Sequence, residues 1–151
     1  MEYFKLAYDK QAEGEYREAI ELYTKSIEAF PSAEPYTFRG WAYSYLEDYE
    51  QAIEDCKRAI EIDPEFGNPY NDIGAYLIEL DKPDEAIVWL EKAIGAKRYE
   101  ARCYPYYNLG RVYEARHEWK RARECYQKAL AENGEYLAPA RALKRLSAMF
   151  N

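Results

Sequence analysis

A chain of 151 residues with 48% hydrophobic and 32% charged residues can form one domain with a sizeable core, and that balance speaks against a disordered chain or a membrane protein. No apolar run approaches the roughly 18–20 residues needed to span a bilayer, and the opening MEYFKLAYDK has neither the basic nor the apolar region of a secretory signal. The net charge of −7 and a pI of about 4.9 disfavour nucleic acid, which needs a basic face.

That charge is unevenly spread. Residues 1–95 carry 9 Lys/Arg against 22 Asp/Glu, and residues 96–151 carry 12 against 6. Such a split can steer partners by sign or favour head-to-tail contact between copies, so homo-oligomer formation is an open alternative. Cys56, Cys103 and Cys125 are an odd number without C-x-x-C spacing. They predict reduced thiols in a cytoplasmic setting, not a disulfide framework or a zinc site.

Along the chain the elements recur. Residues 1–33 predict a helix around Ala7 and a second over YREAIELYTKSI (16–27). Residues 34–66 open on EPYTFRG (34–40) and continue with YEQAIEDCKRAI (49–60). Residues 67–100 hold NPYNDIG (68–74) and PDEAIVWLEKAI (83–94), and residues 103–134 hold YPYYNLG (104–110) and WKRARECYQKAL (119–130). Ala19, Ala52, Ala86 and Ala122 follow one another at intervals of 33, 34 and 36, a period that signals a solenoid. Each second helix has apolar residues at helical spacing, such as Ala52, Ile53, Cys56, Ala59 and Ile60. Pro35, Pro69 and Pro105 lie near the starts of the first helices, where a missing N–H costs little. Breaks fall at Pro31, at Asp63-Pro64 and around Gly95. Gly40, Gly74 and Gly110 recur because two helices cross closely only where no side chain intervenes.

In the second unit Tyr36, Gly40, Tyr43, Ala52, Ala59 and Pro64 resemble the tetratricopeptide repeat pattern. So do Tyr106, Leu109, Gly110, Tyr113, Ala122, Tyr126 and Ala129 in the fourth. The resemblance covers residues 1 to about 134 as four repeats. It implies one all-α domain over 1–151, a right-handed solenoid of antiparallel helix pairs whose first helices line a concave, peptide-binding wall. Lys10 departs from it by standing where an apolar residue belongs, and about two residues are inserted within 96–105. That insertion leaves the packing between the third and fourth repeats open. Residues 135–150, EYLAPARALKRLSAMF, resemble the solvating helix that closes such arrays. Leu137, Leu143, Leu146 and Phe150 would cover the last repeat, with Arg141, Lys144 and Arg145 facing water.

At 100° per residue, Tyr36, Arg39, Gly40 and Tyr43 share one face of their helix, and Thr37, Phe38, Trp41, Ser44 and Tyr45 share the other. The first set occupies packing positions, so the second points to the concave wall. The predicted groove has Phe4, Tyr8, Phe38, Trp41 and Tyr45 as apolar anchors toward the N-terminal end. Asn71, Tyr107, Asn108 and Arg111 are its polar contacts toward the other end, the amides for a peptide backbone and Arg111 for a carboxylate. Asp72 and Glu79 share that wall. Packing of Phe38, Trp41 or Tyr45 against a neighbouring first helix is the alternative. Family members that grip a chaperone's C-terminal carboxylate use a set of Lys, Asn and Arg side chains. Here those positions read Phe4, Tyr8, Phe38, Asn68 and Asp72, or one repeat later Thr37, Trp41, Asp72, Tyr104 and Asn108. Neither frame supplies the cations.

Arg39 stands where the other repeats have Leu6, Ile73 and Leu109, read as core. Asp55 faces it where they have Leu22, Trp89 and Cys125. Two positions turning charged in the same repeat predict an Arg39–Asp55 salt bridge. His117 is the single histidine and the glycines are isolated, so no nucleophile–base pair, metal site or phosphate loop is expected. Cys103 is the candidate exposed thiol. The expectation is a binding scaffold without enzyme activity or cofactor, whose partner is a protein or peptide. A self-assembling structural module is the alternative.

Overall fold

The computed structural model describes residues 2–150. Nine helices are present among them: α1 (Glu2–Ala12), α2 (Tyr16–Ala29), α3 (Ala33–Tyr45), α4 (Tyr49–Ile62), α5 (Asn68–Glu79), α6 (Pro83–Gly95), α7 (Cys103–Ala115), α8 (Trp119–Glu132) and α9 (Leu137–Phe150). Each packs on its sequence neighbours. In addition α1 touches α3, α3 touches α5 and α5 touches α7, whereas the second helices make no comparable contact with one another. Helix pairs that are closer on one side than the other curve toward it, so the odd-numbered helices α1 to α7 form the inner wall.

The crossings within each pair depend on small residues. Ala7, Ala19, Ala52, Ala86 and Ala122 are wholly buried. A Cβ placed on Gly40 would lie 2.8 Å from the carbonyl oxygen of Ala52, and backbone cannot yield as a side chain can. The reversals between paired helices share one conformation as well. Gly14, Glu47, Asp81 and His117 all have φ between 59° and 83°, a region that costs a residue with a Cβ about 1–2 kcal/mol.

The second repeat replaces part of its core with an ion pair. Arg39 donates from Nε and Nη2 to the two carboxylate oxygens of Asp55, each at 2.8 Å, and Asp55 is 1% exposed. The third nitrogen, Nη1, donates to the Thr24 hydroxyl at 3.1 Å, so the guanidinium joins α2, α3 and α4. The bonds with Asp55 raise the Arg39 pKa further, against the lowering effect of burial.

Several terminal and loop positions differ from the sequence reading. Leu6, read as core, is 45% exposed, on a face of α1 that the described helices leave open. On α9 the buried stripe is Pro139, Ala142 and Leu146, a spacing that turns Leu137 away from α8 and leaves it 61% exposed. Phe150 is also half in solvent but leans on Trp119 at 5.3 Å. Arg145 does face water, as expected, and from there it also donates to both carboxylate oxygens of Glu114 at 2.7 Å. The inserted segment is taken up in the loop between α6 and α7, and α6 still packs on α7. That loop folds back on the loop between α4 and α5: Arg98 N–H donates to the Glu65 carbonyl, and Gly67 N–H donates to the Arg98 carbonyl, both at 3.0 Å. Tyr99 is buried against Gly67, where a Cβ would lie 2.4 Å from it. Cys103 opens α7 as a buried residue, and burial pushes its thiol pKa up, which opposes thiolate reactivity.

Candidate functional site

The inner wall carries a continuous aromatic ladder. Phe38, Trp41 and Tyr45 form one stripe of α3 at helical spacing, and Phe4 and Tyr8 form the matching stripe of α1. Phe38 is the hub: its ring lies 5.4 Å from Phe4 and 5.9 Å from both Tyr8 and Trp41, in edge-on contacts. Trp41 continues to Tyr45 at 5.6 Å. The aromatics divide by exposure. Phe4 and Phe38 are half-buried against each other and against Tyr23. Tyr8, Trp41 and Tyr45 are 48%, 37% and 50% exposed and keep open faces. Thr37, placed on the groove side from sequence, is buried, and its hydroxyl donates to the Ala33 carbonyl.

The ladder ends on a residue that periodicity does not mark. Tyr16, at the start of α2, stacks on Tyr45 at 4.6 Å with rings nearly parallel. It occupies the helix-start position that Tyr49 and Trp119 fill in other repeats, so only the meeting of α2 with the end of α3 shows its place.

Asn71 and Asn108 were expected as separate hydrogen-bonding groups for a peptide. Both are buried, and the Asn108 side-chain amide donates to Asn71 Oδ1 at 3.0 Å. Arg111 donates to Asn108 Oδ1 at 3.2 Å and to Glu79 at 3.3 Å. The amides therefore orient Arg111, which is the half-buried member of this chain. Beyond it the wall is aromatic rather than purely polar. Tyr107 packs on Tyr126 at 5.7 Å and on Tyr136 at 5.4 Å, and Tyr136 meets Tyr104 at 5.1 Å. Tyr136 lies just before α9, outside any repeat position, which is why the repeat pattern did not find it.

Between the two aromatic clusters sits Asp72 of α5, in the register of Phe38 on α3 and Asn108 on α7. It is half-buried, on the helix face that also carries Glu79. Burial pushes its carboxyl up to about 7, and the Asn71 amide pulls the other way. Where α3 and α5 begin, an open cleft of about 1470 Å³ adjoins this wall, lined by Phe4, Glu34, Asn68, Arg98, Tyr99 and Arg102 among others. Arg102 spends its guanidinium on the carbonyls of Ile94, Ala96 and Tyr99 at 2.6–2.8 Å. Among the described residues no three His, Cys, Asp or Glu side chains converge as a metal site would, and no helix is long and apolar enough to cross a membrane.

Four sequence profiles described as Tetratricopeptide repeat match residues 3–33, 33–66, 68–99 and 103–136. The chain belongs to the tetratricopeptide repeat family. The repeat array is 36% identical over 81 residues to the Small glutamine-rich tetratricopeptide repeat-containing protein 2 of Mycosarcoma maydis, a match covering 53% of this chain and 23% of that protein. The matched stretch thus spans about a quarter of that relative. Among solved structures, the repeats superpose on PilW, described as a type IV pilus biogenesis factor, with a TM-score of 0.88 at 21% identity. That match covers 97% of this chain and 68% of the other. They also superpose on the first TPR of Spaghetti bound to the HSP90 peptide SRMEEVD, with a TM-score of 0.71 at 18% identity and coverage of 78% and 92%. These two likenesses concern the fold.

Proposed function

We propose that this array is a protein-interaction module whose concave face grips an extended segment of a partner protein. The observation that carries this reading is the aromatic ladder, with three rings left open on the inner wall. Rigid aromatic surface outside the packing pattern is poor for solubility and well suited to anchoring a partner. Phe4, Tyr8, Phe38, Trp41 and Tyr45 are the anchors. Tyr107 engages the far end of the segment, next to Arg111, which Asn71, Asn108 and Glu79 hold in place. A solved array of the same fold with a peptide bound supports this use of the surface. Its acidic peptide is not the expected ligand here, since Phe4, Tyr8, Phe38, Asn68 and Asp72 stand where cation donors would be needed.

The experiment is affinity capture with wild-type and Trp41→Ala protein, read by mass spectrometry, followed by titration of the recovered partner. Trp41 touches only Phe38 and Tyr45 among the ladder rings, so its truncation should weaken binding by about tenfold or more and leave the protein folded, as a thermal melt would check. Undiminished affinity refutes the groove.

Head-to-tail association of copies is the second reading. It is favoured by Tyr3 and Leu6, 44% and 45% exposed on α1, at the acidic end of a chain whose other end is basic. A light-scattering mass that stays monomeric at low salt eliminates it.

A further inference from the structure

The charges of the inner wall are unequally committed. Arg111 is tied to Asn108 and Glu79, Arg102 to three carbonyls, Arg98 to Asp63 and Lys97 to Glu65. Lys5, at the α1 end, is exposed and carries no such bond among the described residues. The carboxylate of Asp72 sits mid-wall and has no cationic partner among the described residues. Ionisable groups near it include Cys56 of α4, Tyr76 of its own helix and Tyr99 of the folded-back loop, and no cation acts on its carboxyl. The phenol of Tyr76 is itself buried without a hydrogen-bond partner. A carboxylate held in such a place is poorly solvated, and a cation brought to its open side compensates it.

We infer that the concave face selects a partner segment in which a lysine or arginine is flanked by apolar or aromatic residues, with the cation seated on Asp72 and the flanking side chains on the Phe38–Trp41 ladder. This rests on the groove reading above and adds the chemistry of the occupant. Register supports it, because Phe38 and Asp72 occupy equivalent positions on adjacent inner helices. Neighbouring side chains of one extended segment can therefore reach both. Charge complementarity supports it too: the inner-wall arginines are engaged within the protein, while Asp72 and, in the adjoining cleft, Glu34 and Glu100 have no ion-pair partner among the described residues. The wall consequently offers anionic groups, and an acidic segment meets repulsion at its centre.

The test uses three short synthetic peptides, capped at both ends, that share the same leucine and phenylalanine residues and carry lysine, glutamine or glutamate between them. Binding is read by fluorescence anisotropy against wild-type, Asp72→Asn and Trp41→Ala protein. The lysine peptide should bind about tenfold tighter than the glutamine peptide, with the glutamate peptide weakest. Asp72→Asn should bring the lysine peptide to the glutamine level and leave the glutamine peptide unchanged. Trp41→Ala should weaken all three. Equal affinity for the lysine and glutamine peptides, or a lysine preference undiminished in Asp72→Asn, overturns the cation assignment and leaves the groove standing. Absence of binding by every peptide, or indifference of all three to Trp41→Ala, overturns both. Thermal melts check that the variants fold, and Asp72→Ser supplies the same readout if the amide does not.

Discussion

Replacing Arg39 by leucine would leave the carboxyl of Asp55, 1% exposed, in the core without its partner. Losing one partner of a buried pair costs about 3–5 kcal/mol, and the Thr24 hydroxyl loses its guanidinium donor as well. For a chain of this size each kcal/mol lowers the melting temperature by about 2–4 °C, so Arg39→Leu should melt about 6–20 °C below wild type. The double variant Arg39→Leu/Asp55→Leu behaves differently, because it removes both charges together. It restores the apolar type found in the other repeats, where Ile73 stands in the Arg39 place and Trp89 in that of Asp55. Repacking two leucines into a space shaped for an ion pair costs about 1 kcal/mol, and burying apolar surface offsets part of that. The assay is a double-mutant cycle by urea and thermal unfolding followed by circular dichroism, with unchanged m values as the control for two-state behaviour. Equal losses in Arg39→Leu and in the double variant would refute the reasoning. A loss in Arg39→Leu well under 1 kcal/mol would show that the carboxylate is solvated, not buried.

Three further outcomes follow from the geometry. Glu47→Gly relieves a positive φ of 62° and should raise stability by about 0.5–1 kcal/mol, after allowing for the freedom that glycine adds to the unfolded chain; a lowered melting temperature contradicts it. Gly40→Ala should cost about 1–3 kcal/mol, because the new Cβ meets the Ala52 carbonyl at 2.8 Å, and a neutral result in chemical denaturation would show that the crossing can open. For Asp72, burial raises the folded pKa from 3.8 to about 7, so across that window the native state holds a proton that the unfolded chain has lost. Stability therefore declines as pH rises between these values, and the penalty is complete above about 7. No cation faces this carboxyl from Asn71, Cys56, Tyr76 or Tyr99 to offset it. Asp72→Asn should then stabilise by about 1–2 kcal/mol at pH 8, allowing for its open edge, and by little near pH 4. An equal effect at both pH values would show that burial is not the cause.

How much of this was legible in sequence differs from residue to residue. Gly40 and Ala52 announce their crossing because the same small residues return in each unit, and a helix pair has few ways to approach closely. Arg39 and Asp55 stand out by the same comparison: a repeat supplies its own reference, and two facing positions that turn charged together read as a pair. The stack of Tyr16 on Tyr45 cannot be found in this way. Helical period assigns each ring to a face of its own helix, whereas the distance between the two rings depends on how α2 meets α3.

By itself, then, the sequence determined the repeat, the helix pairs, the small-residue crossings and the face of α3 that carries Phe38, Trp41 and Tyr45. Each of these rests on local spacing, which a linear pattern records. Tertiary structure alone decided that Asn71 and Asn108 bond to each other and that Tyr136 joins Tyr107. It also decided that Tyr99 folds onto Gly67, and that Asp72 lies mid-wall without a cation. Those facts depend on the curvature that brings successive units together, and on a loop and a terminal helix that have no second copy in the chain for comparison.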